Sequence, residues 1–232
     1  MNSLAVILTN AQIEVAGRLY RRLPQWQASE AALAALADKF PGFSDDAVLL
    51  KAIAINGLYG TKVLALPRMA VHAKRVIEKN DLRKAGLEFV EEIARLPASE
   101  EQRANRRYHS FAAKFAHFFV DPERFPVMDN YAVGTVRFHL GSREYRQNLE
   151  RPYVAFVENL QRLKDLAGLS VTNRELDHYL WIAGEYRAFR KNPKAKISGE
   201  VKRLFTAPSE SVSADLASLM PSNLSCALKS EL

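Results

Sequence analysis

Two residues in the middle of the chain, Lys114 and Asp129, have the types and the spacing of an amine-and-acid catalytic pair. Lys114 lies within an apolar run, residues 111–119, and Asp129 follows a proline-containing loop at the expected start of the next helix. Burying an ammonium group among apolar side chains costs free energy unless the group is paired or used. Because an amine shielded from water is a better nucleophile, the two side chains could attack a substrate and stabilise the positive charge that develops on it. The alternative is a structural ion pair between two helices.

Composition limits the class of protein. The chain of 232 residues is 48% hydrophobic, which is enough for one large domain or two small lobes. Its single cysteine, Cys226, excludes an intrachain disulfide and suits a reducing compartment. The N-terminus lacks the pattern of a signal peptide, and every long apolar run carries charges. We therefore expect a cytoplasmic protein without a membrane partner, and the His, Cys, Asp and Glu spacing predicts no metal site or cofactor.

The apolar spacing predicts an all-α fold, because apolar residues recur three and four apart and no alternating strand pattern occurs. Residues 1–205 are predicted to form one helical domain, or two lobes with a cleft between them. Residues 206–232 are rich in Ser and Ala and are predicted to be a flexible tail with at most one short helix around 214–220. Helices are expected at residues 29–39, from 45 to Gly57 or Gly60, and at 66–79, 81–96, 109–119, 129–140, 152–167 and 172–191.

Two short segments carry a family resemblance. Residues 110–116 read Ser-Phe-Ala-Ala-Lys-Phe-Ala, and residues 125–129 read Phe-Pro-Val-Met-Asp. They resemble the helix-hairpin-helix DNA glycosylases, especially the branch with the 8-oxoguanine glycosylase fold. In that family a Leu-Pro-Gly-Val-Gly-x-Lys-x-Ala hairpin leads into the helix of the catalytic lysine, and a loop ending in Pro-Val-Asp supplies the aspartate. Here Ser110 and Ala112 replace the hairpin glycines, so the hairpin is degenerate, and Met128 is inserted before the aspartate.

The resemblance implies a monomeric DNA glycosylase with a helix-hairpin-helix glycosylase-like fold. It would flip a modified base out of double-stranded DNA, with Lys114 as nucleophile, Asp129 as charge stabiliser, and with or without AP-lyase activity. The substrate would be an oxidised purine or a hypermodified base of phage DNA, the latter in antiviral defence. A non-catalytic DNA-binding module on the same fold and a helical protein-interaction domain are the alternatives.

Further residues are candidates for contacts to the base and to the DNA backbone. The base-pocket candidates are Asn56, Tyr59, Tyr131, His178 and Trp181, although residues 56–60 could equally be a helix C-cap and the aromatic residues core. The net charge is +7, and residues 187–203 hold seven basic residues against one acid. Such a strip contacts phosphate or is simply a solvated helix end. The DNA-binding candidates are Arg103, Arg106, Arg107, Ser110, Arg187, Arg190 and Lys191.

Overall fold

The computed structural model describes residues 3–98 and 107–220, and over these residues the chain forms eleven α-helices and no strand. The predicted all-α class is therefore confirmed for this part of the chain. The helices are α1 (Asn10–Tyr20), α2 (Pro24–Lys39), α3 (Asp45–Tyr59), α4 (Leu66–Lys79), α5 (Glu88–Ala94), α6 (His109–Phe119), α7 (Asn130–Glu144), α8 (Pro152–Ala167), α9 (Asn173–Lys191), α10 (Gly199–Thr206) and α11 (Glu210–Leu219). No helix among the described residues is long and apolar enough to cross a bilayer.

The described chain divides into two compact units, each built from separate stretches of sequence. The first unit contains residues 3–27, 130–146 and 159–220. The second unit contains residues 28–98, 107–129 and 147–158. Lys114 and Asp129 both belong to the second unit.

In the first unit, α9 is the central helix. It packs against α1, α7 and α10, and α11 packs against α1. A polar network lies inside this helical core: the ring of His139 lies 2.8 Å from the Tyr179 hydroxyl and 2.9 Å from the carbonyl oxygen of Val6. Both ring nitrogens are therefore satisfied although His139 has no exposed surface.

In the second unit, α3 packs against α4 and α6, and α5 packs against α4 and α6. The apolar face of α6 supplies Phe111 and Phe115, both with no exposed surface. Their rings lie 6.0 Å apart, one helical turn from each other along α6. Phe125, in the loop after α6, packs against Phe89 of α5 at a ring separation of 5.7 Å. This contact anchors the loop. This aromatic core fixes the helix that carries Lys114.

The segment after residue 206 differs from the predicted flexible tail. Glu210–Leu219 forms α11, which packs against α1 through buried Val212, Leu216 and Leu219. The Gln12 side-chain amide donates to the carbonyl oxygen of Leu219 at 3.2 Å. The three apolar residues follow one another at helical spacing, so a short amphipathic stripe is enough to hold a Ser- and Ala-rich segment on the fold. The last part of the predicted tail, 221–232, lies outside the described residues.

Two glycines set helix boundaries near the positions predicted. Gly60 has φ 56° and ψ 40°, the left-handed conformation of a helix C-cap, so α3 ends at Tyr59. Gly141 has φ 68° and breaks the regular geometry of α7. A Cβ atom there would lie 2.7 Å from the Cβ atom of Ala5, so the position requires glycine for both conformation and space. The helix predicted at 81–96 is shorter, since only Glu88–Ala94 is helical.

Candidate active site in the second unit

The Lys114 ammonium lies at the centre of a small polar cluster. Its Nζ atom donates a hydrogen bond to Ser110 Oγ at 3.0 Å and lies 3.6 Å from Asp129 Oδ2. The Tyr59 ring centroid is 5.5 Å from the same atom, within the range of a cation–π interaction. The side chain of Lys114 is 4% exposed and that of Asp129 is 22% exposed. Asp129 is thus the member of the pair that offers more surface to a ligand.

Helix geometry places Ser110 and Lys114 together. The two residues are four apart on α6, so their side chains lie one above the other on the same face. Phe111 and Phe115 point into the core from the neighbouring face and fix the rotation of the helix. Ser110 is therefore a direct partner of the lysine.

The loop 120–129, which delivers Asp129, is held at both ends. Asp121 Oδ1 accepts hydrogen bonds from the backbone N–H groups of Glu123 and Arg124, and the Arg124 guanidinium donates to the carbonyl oxygen of Leu82 at 2.8 Å. Burial alone would raise the pKa of Asp121, but the hydrogen bonds from Arg124 outweigh it and lower that pKa. The first half of the loop is therefore fixed by a charged clamp.

Two buried side chains hold the second half of the same loop. His117 Nδ1 lies 3.0 Å from the carbonyl oxygen of Phe125 and, since a carbonyl only accepts, donates to it. The Tyr153 hydroxyl donates to the carbonyl oxygen of Pro126 at 3.0 Å. These contacts leave Asp129 little freedom relative to α6, which is the preorganisation that a catalytic carboxylate needs.

The two predicted pocket residues of α3 have different surroundings. Tyr59, the last residue of the helix, lies against Lys114 and packs on Phe118 at a ring separation of 5.5 Å. Asn56 Oδ1 instead accepts hydrogen bonds from the Thr61 hydroxyl at 2.8 Å and the Val63 backbone N–H at 2.9 Å. Asn56 therefore shapes the loop after Gly60, and of the two residues Tyr59 is the one placed beside Lys114.

The other predicted pocket residues, Tyr131, His178 and Trp181, belong to the first unit. The ring of His178 stacks on Tyr20 at a centroid separation of 3.7 Å, and Trp181 packs against Trp26 at 4.5 Å. The Tyr131 hydroxyl donates to the carbonyl oxygen of Lys196 at 3.0 Å. His178 also lines a surface groove of about 670 Å³ beside α1.

The predicted DNA-contacting arginines that the structure describes all bind the protein itself. Arg107 donates to two backbone carbonyls of the loop before α8. Arg187 lies over the ring of Phe138 at 3.8 Å, and Arg190 reaches the Tyr186 hydroxyl at 3.4 Å. Lys191 is exposed and lines a groove of about 190 Å³ between α7 and α9. Arg103 and Arg106 lie outside the described residues.

Sequence reasoning missed a buried acid in the second unit, Glu91. Glu91 of α5 lies 2.9 Å from His109 Nε2 and accepts the backbone N–H of Tyr153 at 2.7 Å. Burial raises the pKa of Glu91, but the hydrogen bonds from His109 and from the Tyr153 backbone outweigh it and lower the pKa below its ordinary value. No local pattern could have found this contact, because its partners are 18 and 62 residues away in sequence.

A second buried lysine was also missed. Lys51 of α3 is 1% exposed, donates to the carbonyl oxygen of Gly42 at 2.9 Å, and lies over the rings of Phe43 and Phe119 at 4.3 and 5.2 Å. Burial lowers the pKa of the Lys51 ammonium. Its position in an apolar helix gives the same sequence signal as that of Lys114. Lys114 is distinguished from it by its carboxylate partner.

One family model resembles this chain. HI_0787_N, described as an N-terminal domain, matches residues 12–124. The matched stretch contains Lys114, Ser110 and Tyr59 and ends five residues before Asp129. No curated protein and no solved structure matches the chain significantly.

Proposed function

We propose that this protein is a DNA glycosylase of the helix-hairpin-helix type, with an 8-oxoguanine glycosylase-like fold and a degenerate hairpin. The observation that carries the proposal is the Lys114–Asp129 pair, 3.6 Å apart, with Ser110 and Tyr59 around the amine. The two sequence segments that resemble the glycosylase motif thus supply side chains that meet in space. A lysine paired with a more exposed carboxylate suits chemistry at a sugar that gains positive charge.

The proposed reaction uses both side chains. The lone pair of the Lys114 amine attacks C1′ of the flipped nucleotide, the C1′–N bond breaks, and its electron pair leaves with the base. Opening of the sugar ring then gives a Schiff base between C1′ and Nζ, which water hydrolyses or which permits strand cleavage by β-elimination. Asp129 assists in one of two ways: it accepts the proton that the amine loses, or as a carboxylate it stabilises the oxocarbenium-like charge. Ser110 Oγ holds the amine in position throughout.

The substrate we propose is a modified base in double-stranded DNA, either an oxidised purine in repair or a hypermodified phage base in antiviral defence. A base must leave the stack to reach a buried amine, so the target is a base that flips out more easily than an ordinary one. The protein would act as a monomer in the cytoplasm. Its net charge of +7 favours a polyanionic partner.

A second candidate function is a non-catalytic DNA-binding module on the same fold. One observation favours it: the Lys114 side chain is 4% exposed and already bound to Ser110 and Asp129, as a structural ion pair would be. This candidate predicts salt-dependent DNA binding without release of any base.

Borohydride trapping distinguishes the two. The wild type is incubated with duplexes that carry different modified bases, including genomic DNA of phages with altered cytosine, and reduced with sodium borohydride. The glycosylase proposal predicts a covalent adduct that Lys114→Met loses and that Lys51→Met keeps. Lys51 is a matched buried lysine of the same unit, and among the described residues it has no carboxylate partner. Heat-labile abasic sites that depend on Asp129, without an adduct, would indicate base release by hydrolysis. Neither product on any duplex would favour the binding module.

A further inference from the structure

Helix α3 is apolar on the face that it exposes as well as on the face that packs against α4 and α6. On the outer face Leu50 is 41% exposed, Ile53 is 47% exposed, and Gly57 follows them at helical spacing and is also exposed. From residue 47 to residue 60 the only charged residue is Lys51, which is buried. The outer face of a surface helix normally carries charged and polar residues. This outer face of Leu50, Ile53 and Gly57, the α3 stripe, therefore has the composition of a contact surface.

The glycine of the stripe is not required by the fold of the described chain. Gly57 has no positive φ, and a Cβ atom there would meet no atom of the described chain within 4 Å. Glycine within a helix lowers helix stability relative to alanine, so a side chain here would favour α3. A glycine on a helix surface does, however, leave room for a large side chain of a second molecule. Since Ala54 lies beside it, the stripe has two large side chains towards its N-terminal end and two small residues towards its C-terminal end.

The two ends of the same helix carry opposite charges. Asp45 and Asp46 are exposed in the first turn of α3, and Lys62 is exposed just beyond its C-terminal end. Asp45 also forms an ion pair with Lys74 of α4 at 2.9 Å. The order of charges along the helix, acidic and then basic, thus follows the order of side-chain sizes, large and then small. A pattern of this kind is complementary to itself when it is turned end to end.

We propose that the α3 stripe is the contact surface of a two-fold symmetric dimer, in which α3 packs antiparallel on α3 of a second copy of this chain. A two-fold axis that passes between Ile53 and Ala54 places Leu50 of each copy at the level of Gly57 of the other, because the two residues lie equally far from the axis. The leucine side chain then fills the space that the glycine leaves. The same axis brings Asp46 of each copy near Lys62 of the other.

A second copy suits the stripe better than other partners do. DNA is a poor occupant, because the stripe holds no basic residue and two acids stand at its N-terminal end. A lipid surface is also a poor occupant, since Leu50 and Ile53 offer too little apolar area to anchor a protein of this size. A helix of another protein would need the same sizes and charges in the reverse direction, which α3 of a second copy supplies by symmetry.

The dimer goes beyond the proposed function and does not depend on it, because α3 lies wholly in the second unit and the contact involves no DNA. A contact between two single helices is at the small end of protein interfaces, so we expect a dissociation constant on the order of 10 µM. The monomer that is proposed to act on DNA is then the form present at low concentration. The dimer is the form of the free protein at high concentration.

Sedimentation velocity of the full chain, without DNA, tests the dimer at concentrations from about 1 to about 200 µM, which bracket the expected dissociation constant. Gly57→Gln should raise that constant at least about tenfold, because the side chain occupies the space for Leu50 of the second copy. Its melting temperature should be unchanged or higher, since the space is open in the monomer and glutamine favours a helix. Leu50→Gln should weaken the dimer similarly. Leu149→Gln is the control, because Leu149 is an 83% exposed leucine of the same unit outside α3.

A charge exchange tests the antiparallel arrangement. Lys62→Glu places an acid near Asp46 of the second copy, and Asp46→Lys places a base near Lys62, so each variant alone should weaken the dimer. The double variant with both changes restores opposite charges and should recover most of the wild-type association. The losses and the recovery should become smaller at high salt, because both residues are exposed.

Several outcomes would overturn the dimer. A wild type that stays monomeric over the whole concentration range would leave the stripe to a partner of another sequence. A dimer that Gly57→Gln and Leu50→Gln leave intact, or that Leu149→Gln weakens as much, would place the contact elsewhere on the protein. Species that grow beyond the dimer with concentration would contradict the closed two-fold contact. If the double variant fails to recover association, the antiparallel arrangement is wrong. None of these results bears on base release, which borohydride trapping measures separately.

Discussion

The hydroxyl group of Ser110 is closer to the Lys114 ammonium than the carboxylate of Asp129 is, at 3.0 Å against 3.6 Å. In the motif that residues 110–116 resemble, a glycine stands at the position of Ser110, so a glycine there would leave the lysine without this side-chain partner. The serine and the lysine share one face of α6, one turn apart. The Ser110 hydroxyl thus contacts the amine directly.

Ser110→Ala tests that role. A hydrogen bond to a charged group contributes about 1.5–3 kcal/mol, so we expect the rate of base release or adduct formation to fall roughly 10- to 100-fold when the bond is lost and the amine is less well held. Binding of undamaged duplex should change little. The check is a single-turnover rate beside a binding isotherm. If Ser110→Ala weakens DNA binding and leaves the single-turnover rate intact, Ser110 is a phosphate contact, as its sequence position predicted, and does not position Lys114.

Stability measurements on the pair distinguish a catalytic arrangement from one kept for folding. Asp129→Ala leaves the buried Lys114 ammonium without its carboxylate, and we expect it to lower the free energy of unfolding by about 1–3 kcal/mol. Lys114→Met replaces the ammonium by an apolar group of similar length and should be neutral or stabilising, because a desolvated charge is removed. Urea denaturation of both variants is the measurement. Strong destabilisation by Lys114→Met would mean that the ion pair is kept for the fold.

The sequence predicted the helix that carries Lys114 because the signals for that helix were local. Helix α6 was expected at 109–119, where it lies, and the proline loop placed Asp129 at the next helix start. Ser44, Thr172 and Gly60 act at helix ends as caps, again through contacts within a few residues. Helix boundaries and a motif that spans about twenty residues are set by short-range geometry, which sequence alone can express.

What sequence could not predict depends on contacts between distant segments. The Glu91–His109 contact and the hydrogen bonds from Arg107 to the loop at Leu149 join residues 18 and 42 positions apart. Arg107 was predicted to face DNA because an exposed arginine and one that fixes a loop have the same local sequence pattern. Helix α11 was predicted only in part, as one short helix around 214–220 in a flexible tail. Its earlier start and its packing on α1 were not predicted, because its apolar stripe is narrow and the composition is rich in Ser and Ala.

Glu91 provides a prediction about stability in acid. Glu91→Gln should lower the free energy of unfolding at pH 7 by about 1.5–3 kcal/mol. The neutral amide accepts weaker hydrogen bonds from His109 and from the start of α8 than the carboxylate does. Since the folded pKa of Glu91 is lowered, the wild-type contribution is present above pH 4.5 and is lost as pH falls through the folded pKa. Thermal unfolding between pH 7 and 3 measures this. Glu92→Gln, an exposed neighbour, is the control, and equal acid sensitivity of wild type and Glu91→Gln would contradict the assignment.

Helix α11 should contribute measurably to the stability of the first unit. Leu216 is 5% exposed in the contact of α11 with α1, so Leu216→Ala should cost about 2–4 kcal/mol through lost burial and the cavity left behind. Ser213→Ala on the exposed face of the same helix should change stability by less than about 0.5 kcal/mol. A chain that ends after Met220 should be more stable than one that ends after Ala207. Equal stability of those two chains would mean that residues 208–220 add nothing to stability, as expected of a flexible tail.

His139 makes the first unit sensitive to pH in a defined window. Burial lowers the pKa of His139 to about 4, helped by the nearby charge of Arg187 and opposed by the hydrogen bond to the Val6 carbonyl. The unfolded chain has an ordinary histidine pKa of about 6.5, so between pH 6.5 and 4 the unfolded state binds a proton that the folded state does not. The stability due to the neutral ring is therefore fully present above pH 6.5 and decreases as pH falls, by about 3 kcal/mol at pH 4.

His139→Gln should remove most of this dependence of the unfolding free energy on pH, as measured by urea denaturation at pH 7 and 4.5. His72→Gln should keep it, because His72 is not buried in the core. A wild-type stability that is flat across this window would show that His139 is protonated in the folded protein and that the network with Tyr179 does not require the neutral ring.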